Sequence, residues 1–400
     1  EGYRLGVHIA DVSHFVRENS LLDQEAFDRA TSIYYADGVI PMLPVSLSNE
    51  ACSLKPNEPR LTVSAIMDFD SNANFLAGTL HSSVIKSQRR FTYNEAHQLL
   101  EEKGDDPFLQ TLADMHQLSQ LLRKKRFQQG SVDFQVPESE IHMDSAGQVK
   151  HISVSEHNSA HELIEEFMLA ANQFVALNLH ERSIPSIHRI HEAPDPDRII
   201  GFNEFVDSFK LRLPSPVRSN DLQNLVQKVK GRTEERVVNT LLLRTMKKAR
   251  YSEADPGHFC LGFPHYAHFT SPIRRYPDLI LHRIIKKYMK RKCPQKEKKA
   301  LLSKLAEVSE QSTHMEIKAM SIEREVTDLR GAQFMVDKIG KTFHGVITGV
   351  TGFGFFVELQ EVFVEGLVRV SSITDDYYLF IETEHRLIGQ RRHRSFQIGD

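Results

Sequence analysis

Apolar and polar positions alternate from the start of the chain. Tyr3, Leu5, Val7 and Ile9 fall on one face with period two, which predicts a half-buried strand over 3–12. The spacing shifts to a short helix over 21–31, and prolines at Pro41, Pro44 and Pro56 mark a loop. Alternation returns over 61–69 and 75–84, with Ser71, Asn72 and Asn74 between them, so these runs form a hairpin. A third strand is expected over 87–93, then helices near 94–102 and 107–129, the second stopped by Gly130 and Ser131. A strand returns over 149–154, and helices follow over 195–211, 221–229 and 234–249. The proline-free pattern over 299–338 predicts one long helix.

The clearest helix is 159–179, where Ser159 and Glu162 have the spacing of a capping box. Glu162, Glu166 and Gln173 fall on a side read as facing solvent. Glu165 shares its face with Met168, Leu169 and Asn172, so it is either a hydrogen-bonded core carboxylate or a functional one.

The stretch 268–283, HFTSPIRRYPDLILHR, carries the most chemistry. Ser271 before Pro272 reads as a helix start, which puts Arg274 and Arg275 beside unpaired backbone N–H groups. Two guanidinium forks at such an end suit a phosphate or phosphodiester. Pro277 predicts a kink or a second start, and Asp278, one turn on, is expected to hold Arg274. The plainer reading is a surface arginine pair bound to nearby acids; the Ser-Pro start and the rings of His268, Phe269 and Tyr276 favour a site.

The last block is different. Short strand-like runs over 342–350, 353–359 and 362–370 are separated by glycines. Alternation aims Phe353 and Phe355 to one face and Phe356 to the other. Small OB barrels display such rings to stack bases, although rings between glycines also serve as barrel core. Three strands are legible before Asp400, so the closing strands are expected to be missing.

Composition narrows the class. Four hundred residues with 40% hydrophobic and 26% charged side chains describe a soluble protein of two or three domains. A net charge of −3 means that a nucleic acid has to be met by a local groove. The basic run 286–299 reads as a solvated helix end. Cys52, Cys260 and Cys293 are far apart without a CxxC, which fits a reducing compartment and argues against structural zinc. No apolar run spans a bilayer, so the expectation is a cytoplasmic protein with no membrane contact. Because the chain opens on Glu1 with a strand already under way, an excerpt or processed product is expected.

Together, Ile40-Pro-Met-Leu-Pro44 with Cys52-Ser-Leu, the Glu165-Glu166 pair in its helix, and Tyr266-Ala-His-Phe-Thr-Ser-Pro-Ile-Arg-Arg-Tyr-Pro-Asp278 resemble the RNB exoribonucleases, most closely the ribonuclease R group. The Gly352-Phe-Gly-Phe-Phe-Val357 block resembles the S1 RNA-binding domain that follows in that group. The resemblance implies an α+β fold: a mixed α/β RNB catalytic domain over 1–338, N-terminally incomplete, then an S1-type OB barrel over 339–400, C-terminally incomplete. It implies a monomer that processively hydrolyses single-stranded RNA from its 3′ end to nucleoside 5′-monophosphates, with magnesium. On the matching positions, Arg274 holds the scissile phosphate and Glu165 helps to orient the site. Tyr93 stacks at the 3′ end, Tyr34 and Phe134 clamp the base stack, and Arg275, Phe353, Phe355, Phe356 and Arg369 contact RNA. Arg369 stands where many S1 domains carry histidine. The family's magnesium ligands, a D-x5-D-x-DD motif, are expected upstream of Glu1, so the chain alone is expected to be nearly inactive. An RNA-binding module without catalysis and a protein-binding scaffold are the alternatives.

Overall fold

In the computed structural model the described residues are 2–36, 38–102, 104–132, 134, 139–232, 234–384 and 386–400. The opening strand Gly2–Ala10 pairs antiparallel with Pro59–Asp70, which pairs in turn with Phe75–Lys86. The hairpin is closed by Asp70, whose carboxylate accepts from the backbone of Asn72 at 2.9 Å and of Asn74 at 2.7 Å. An aspartate that satisfies two turn amides explains why the chain reverses there. The third strand expected over 87–93 is a single bridge at Ser87, and Tyr93 instead opens the helix Tyr93–Glu102. Thr92 and Glu95 exchange side chain to backbone bonds, which fixes that start.

One face of the sheet is covered by the helix Ser159–Glu181, with the helix Tyr276–Tyr288 and the N-terminal half of Gln295–Met335 completing the layer. Met67, Val175, Leu179, Leu279 and Leu281 are shut off from water in this core. Side chains of this size contribute about 1.5 to 3 kcal/mol each when fully buried.

A second core joins two regions that are distant in sequence. The helices Pro196–Val206, Ser219–Val229 and Glu235–Thr245 pack Leu222, Val238 and Leu242 together with Ile347, Val350, Phe355 and Leu387 of the final block. That block contains Gly345–Thr351, Gly354–Leu359 and Glu365–Arg369 in one sheet, and Tyr378–Ile381, Arg386–Gly389 and Ser395–Gln397 in another. The expected absence of closing strands is therefore corrected. Gly399 donates to Ile347 O at 2.9 Å and Ile347 donates to Asp400 O at 3.0 Å, so the second sheet returns to the first strand. These later strands are short and charged, with Arg391, Arg392 and Arg394 beside them, and their alternation was too weak to read.

Two helix ends also differ from expectation. The cap of Ser159–Glu181 is Asn158, which accepts from Ala160 and His161, while His161 Nδ1 accepts from the Asn158 backbone. The helix carrying the arginine pair begins at Tyr276, with Arg275 as its cap and Pro277 in its first turn. Ser271-Pro272 thus opens a tight turn and the second start at Pro277 is the true one. Among the described residues no helix is long and apolar enough to cross a membrane.

Candidate nucleic-acid interface

The segment leading to the arginines is pinned from several sides. Asn172 donates to the Tyr266 hydroxyl at 3.2 Å and accepts from the Phe269 backbone at 2.8 Å. His282 bonds the Phe269 carbonyl at 2.8 Å. Asp278, fully buried, accepts from the Ser271 backbone at 2.7 Å and grips Arg275 at both carboxylate oxygens, 2.7 and 2.9 Å. The expectation that Asp278 holds Arg274, and that Arg275 contacts RNA, is corrected by this pairing. Burial works against the Arg275 charge, but Asp278 beside it more than offsets this and raises the guanidinium pKa overall. Three residues of separation put Asp278 under the cap residue, which is why Arg275 is the one captured.

Arg274 has the opposite environment. Its carbonyl is held by the Ser32 backbone at 3.0 Å and by Thr31 Oγ1 at 3.2 Å, and its own N–H reaches Ser271 O. Its side chain is exposed and bonds no other described residue. A fixed backbone under a free guanidinium is what a phosphate site needs, because the cost of ordering the loop is met by folding. Arg274 lines a cleft of ≈ 390 Å³ with His8, Tyr34, Ser48, Cys52 and Ser271. Tyr34, half-exposed on the hairpin Ile33–Tyr35 and Gly38–Ile40, presents its ring there, and its backbone donates to Glu323 at 3.1 Å.

Tyr93 lines a second cleft with His142, His151 and His161, and Glu165 lies on the same helix as His161, outside that lining. The Tyr93 ring stacks on His161 at 3.9 Å, and His157 Nε2 lies 3.7 Å from the Glu165 carboxylate. Burial, and His157 nearby, lower the His161 pKa and keep its ring neutral for stacking. Here the faces of the helix Ser159–Glu181 are the reverse of expectation for the acid pair. Glu166 is only 3% exposed and takes three bonds of 2.5 to 3.2 Å from Arg126. Glu165 is 49% exposed at its side chain. The sequence showed no partner for Glu166, because Arg126 arrives from the separate helix Leu109–Gln128.

Phe134 lies in a third cleft of ≈ 660 Å³ with His191, Asp195, Arg198, Arg244, Lys247 and Lys248. Lys247 is paired with Asp195 at 2.9 Å, which leaves this lining with an excess of positive charge. These basic residues were not singled out from sequence; the signal was available in the cluster Arg244, Lys247, Lys248 and Arg250. Arg244 Nη2 also donates to Thr348 O at 3.3 Å, so the final block adjoins this cleft. Arg274, Tyr93 and Phe134 thus line three separate clefts, and Glu165 lines none of them.

In the final block Phe353 is 60% exposed in the turn, edge-on to Phe356 at 6.4 Å. Phe355 is 6% exposed and stacks on Phe396 at 4.7 Å. Phe355 as an RNA contact is therefore corrected: it is core, and Phe353 groups with Phe356. Strand pairing sets Phe356 opposite Leu367 and Gly354 opposite exposed Arg369, so two rings and a guanidinium share the outer face.

The sequence matches the RNB domain over residues 1–291 and the S1 RNA binding domain over residues 336–400. The chain belongs to the RNB family. It is 42% identical over 405 residues to ribonuclease R of Aquifex aeolicus, covering 100% of this chain and 57% of that protein. With ribonuclease R of Escherichia coli the identity is 36% over 413 residues, covering 100% of this chain and 51% of that protein. The chain thus spans little more than half the length of these RNB relatives. Mycoplasma genitalium RNase R in complex with ribose methylated single-stranded RNA superposes with a TM-score of 0.94 at 32% identity, covering 99% of this chain and 63% of that one.

Magnesium does not fit the described residues of the Arg274 cleft. Its lining carries no carboxylate. Asp11, next to the lining residue Ala10, is held by Lys286 at 2.6 Å and Ser13 at 2.5 Å. A divalent ion of this kind needs carboxylate oxygens in octahedral reach.

Proposed function

We propose that the protein to which this chain belongs is a metal-dependent exoribonuclease, with magnesium as the metal. It degrades single-stranded RNA from the 3′ end to nucleoside 5′-monophosphates. The reading rests on Arg274, a guanidinium on a braced backbone with no partner among the described residues, lining a cleft with Tyr34 in an RNB chain. Arg274 grips the phosphate nearest the 3′ end and stabilises the charge that grows on it as the bond breaks. Tyr93 on its His161 platform and Tyr34 stack on bases, which recognises single strands without reading sequence. Phe134, within its basic cleft, and the outer face of Phe353, Phe356 and Arg369 hold the strand further from its end. Glu165, whose carboxylate pairs with His157 outside the Arg274 cleft, helps to orient the site from a distance. The same reading makes the protein a cytoplasmic monomer and divides it at 338/339.

The test is shortening of a 5′-labelled single-stranded RNA, with mononucleotide release read from a uniformly labelled one, in magnesium, by a protein that contains this chain against the same protein carrying Arg274→Ala. Expected are stepwise shortening from the 3′ end in the first and near-absence of product in the second. Equal rates in the two proteins would overturn the reading. The carboxylate-free lining favours a second outcome for the chain by itself, RNA binding with little turnover, which the same assay on the isolated chain reads directly.

A further inference from the structure

At the C-terminal end of the helix Ser159–Glu181, side chains from four segments converge. His265 Nδ1 lies 2.6 Å from Asp255 Oδ2, and His180 Nδ1 lies 3.7 Å from the same oxygen. The two rings stack at 3.8 Å. One donor atom each from His180, Asp255 and His265 all lie within 4.8 Å of one another. On the other side His188, 6% exposed, brings Nδ1 to 3.5 Å from Asp255 Oδ1. Those last two atoms are both buried and neither has a hydrogen-bond partner. A buried carboxylate oxygen and a buried imidazole nitrogen left unsatisfied face to face are uncommon in folded proteins.

A cation held on the Asp255 carboxylate satisfies its open oxygen. Zinc sits about 2.0 to 2.1 Å from nitrogen and oxygen ligands, so tetrahedral donors are about 3.3 Å apart. The donor atoms of His180, Asp255 and His265 all fall within 4.8 Å of one another, so modest side-chain shifts bring them to that value. The donors are imidazole nitrogens and a carboxylate oxygen, which suits zinc and its first-row neighbours better than magnesium. His180 is exposed and supplies an entry path.

We propose that His180, Asp255 and His265 bind one divalent transition-metal ion of the zinc type, with His188 packed against the other oxygen of the Asp255 carboxylate. The ion ties the C-terminal end of the helix to the segment that opens at His265 and runs through Tyr266 to Arg274. It is a structural site, separate from the chemistry proposed for Arg274.

The chain, freed of metal with a chelator, is titrated with zinc chloride by calorimetry in excess magnesium, and the visible spectrum is recorded with cobalt(II). One ion per chain is expected, with the intense bands of four-coordinate cobalt. Loss of an outer partner already weakens metal sites about 10- to 100-fold, so His180→Ala and Asp255→Asn weaken zinc binding at least that much. His180 is exposed, so His180→Ala decides the matter if Asp255→Asn fails to fold. Absence of zinc binding, or equal binding by parent and His180→Ala, overturns the site. So does loss of binding in His151→Ala alone, which would assign the ion to the separate stacked pair His142 and His151.

Discussion

Arg275 and Asp278 form a buried two-toothed ion pair at the start of a helix, with Nε donating at 2.9 Å and Nη2 at 2.7 Å. The same carboxylate receives the Ser271 backbone, so one acid fixes both the helix start and the turn before it. Removing one partner of such a pair leaves an uncompensated buried charge at a cost of about 3 to 5 kcal/mol. Arg275→Ala and Asp278→Asn should each lower stability by that order, read from urea denaturation midpoints. Arg275→Lys should not restore it, since a point charge cannot bond both oxygens. An unchanged midpoint in Arg275→Ala would show that the pair is dispensable.

Arg274→Ala, one residue earlier, should behave in the opposite way. No described residue depends on its guanidinium, so the denaturation midpoint should move by less than about 0.5 kcal/mol. Groups that stabilise transition-state charge are worth about 100- to 1,000-fold in turnover when lost, and that is the expected fall in RNA hydrolysis by an active protein containing this chain. A large loss of stability with little loss of rate would move Arg274 out of the site.

This contrast also marks what the sequence could tell. The SPIRRYPD motif located the loop, and Pro277 hinted at the later helix start, yet local spacing assigned Asp278 to the wrong arginine. The choice depends on where the helix begins, which long-range anchors settle: Tyr276 N donates to Ala30 O, and its hydroxyl to Asp23 at 2.9 Å. Glu165 and Glu166 were misassigned for a related reason. Periodicity reports a face but not what packs on it, and Arg126 lies forty residues away. The hairpin around Asp70 was legible because turn and alternation are both local. The cores were not, since Leu242 and Phe355 come from distant stretches.

In the final block, neighbouring phenylalanines should separate stability from binding. Phe355, packed on Phe396 and opposite Val368, leaves a cavity when cut to alanine, at about 3 to 5 kcal/mol. Phe353→Ala removes an exposed ring and should leave stability nearly unchanged. It should weaken binding of single-stranded RNA by about 1 to 3 kcal/mol, measured by fluorescence anisotropy. Unaltered RNA affinity in Phe353→Ala would confine that ring to a structural role.

His258 sets a pH dependence. Burial, and His191 and Arg189 nearby, depress its pKa to about 3 from an ordinary value near 6.5. Its Nδ1 accepts from the Leu261 backbone at 3.3 Å, a bond that requires the neutral ring. The unfolded chain therefore takes up a proton that the folded chain refuses. The stability this group contributes is fully present above pH 6.5 and is lost progressively as pH falls from there towards 3. Between pH 7 and 5 the loss from this one ring is about 2 kcal/mol. Burial likewise lowers His191 and His268, so several rings add in the same direction. Denaturation midpoints should fall from pH 7 to 5, before the carboxylates titrate. His258→Gln, which keeps a polar acceptor but cannot charge, should be less stable than the parent at pH 7 and lose about 2 kcal/mol less on going to pH 5. Parallel pH profiles for the two proteins would mean that His258 becomes protonated without opening the structure.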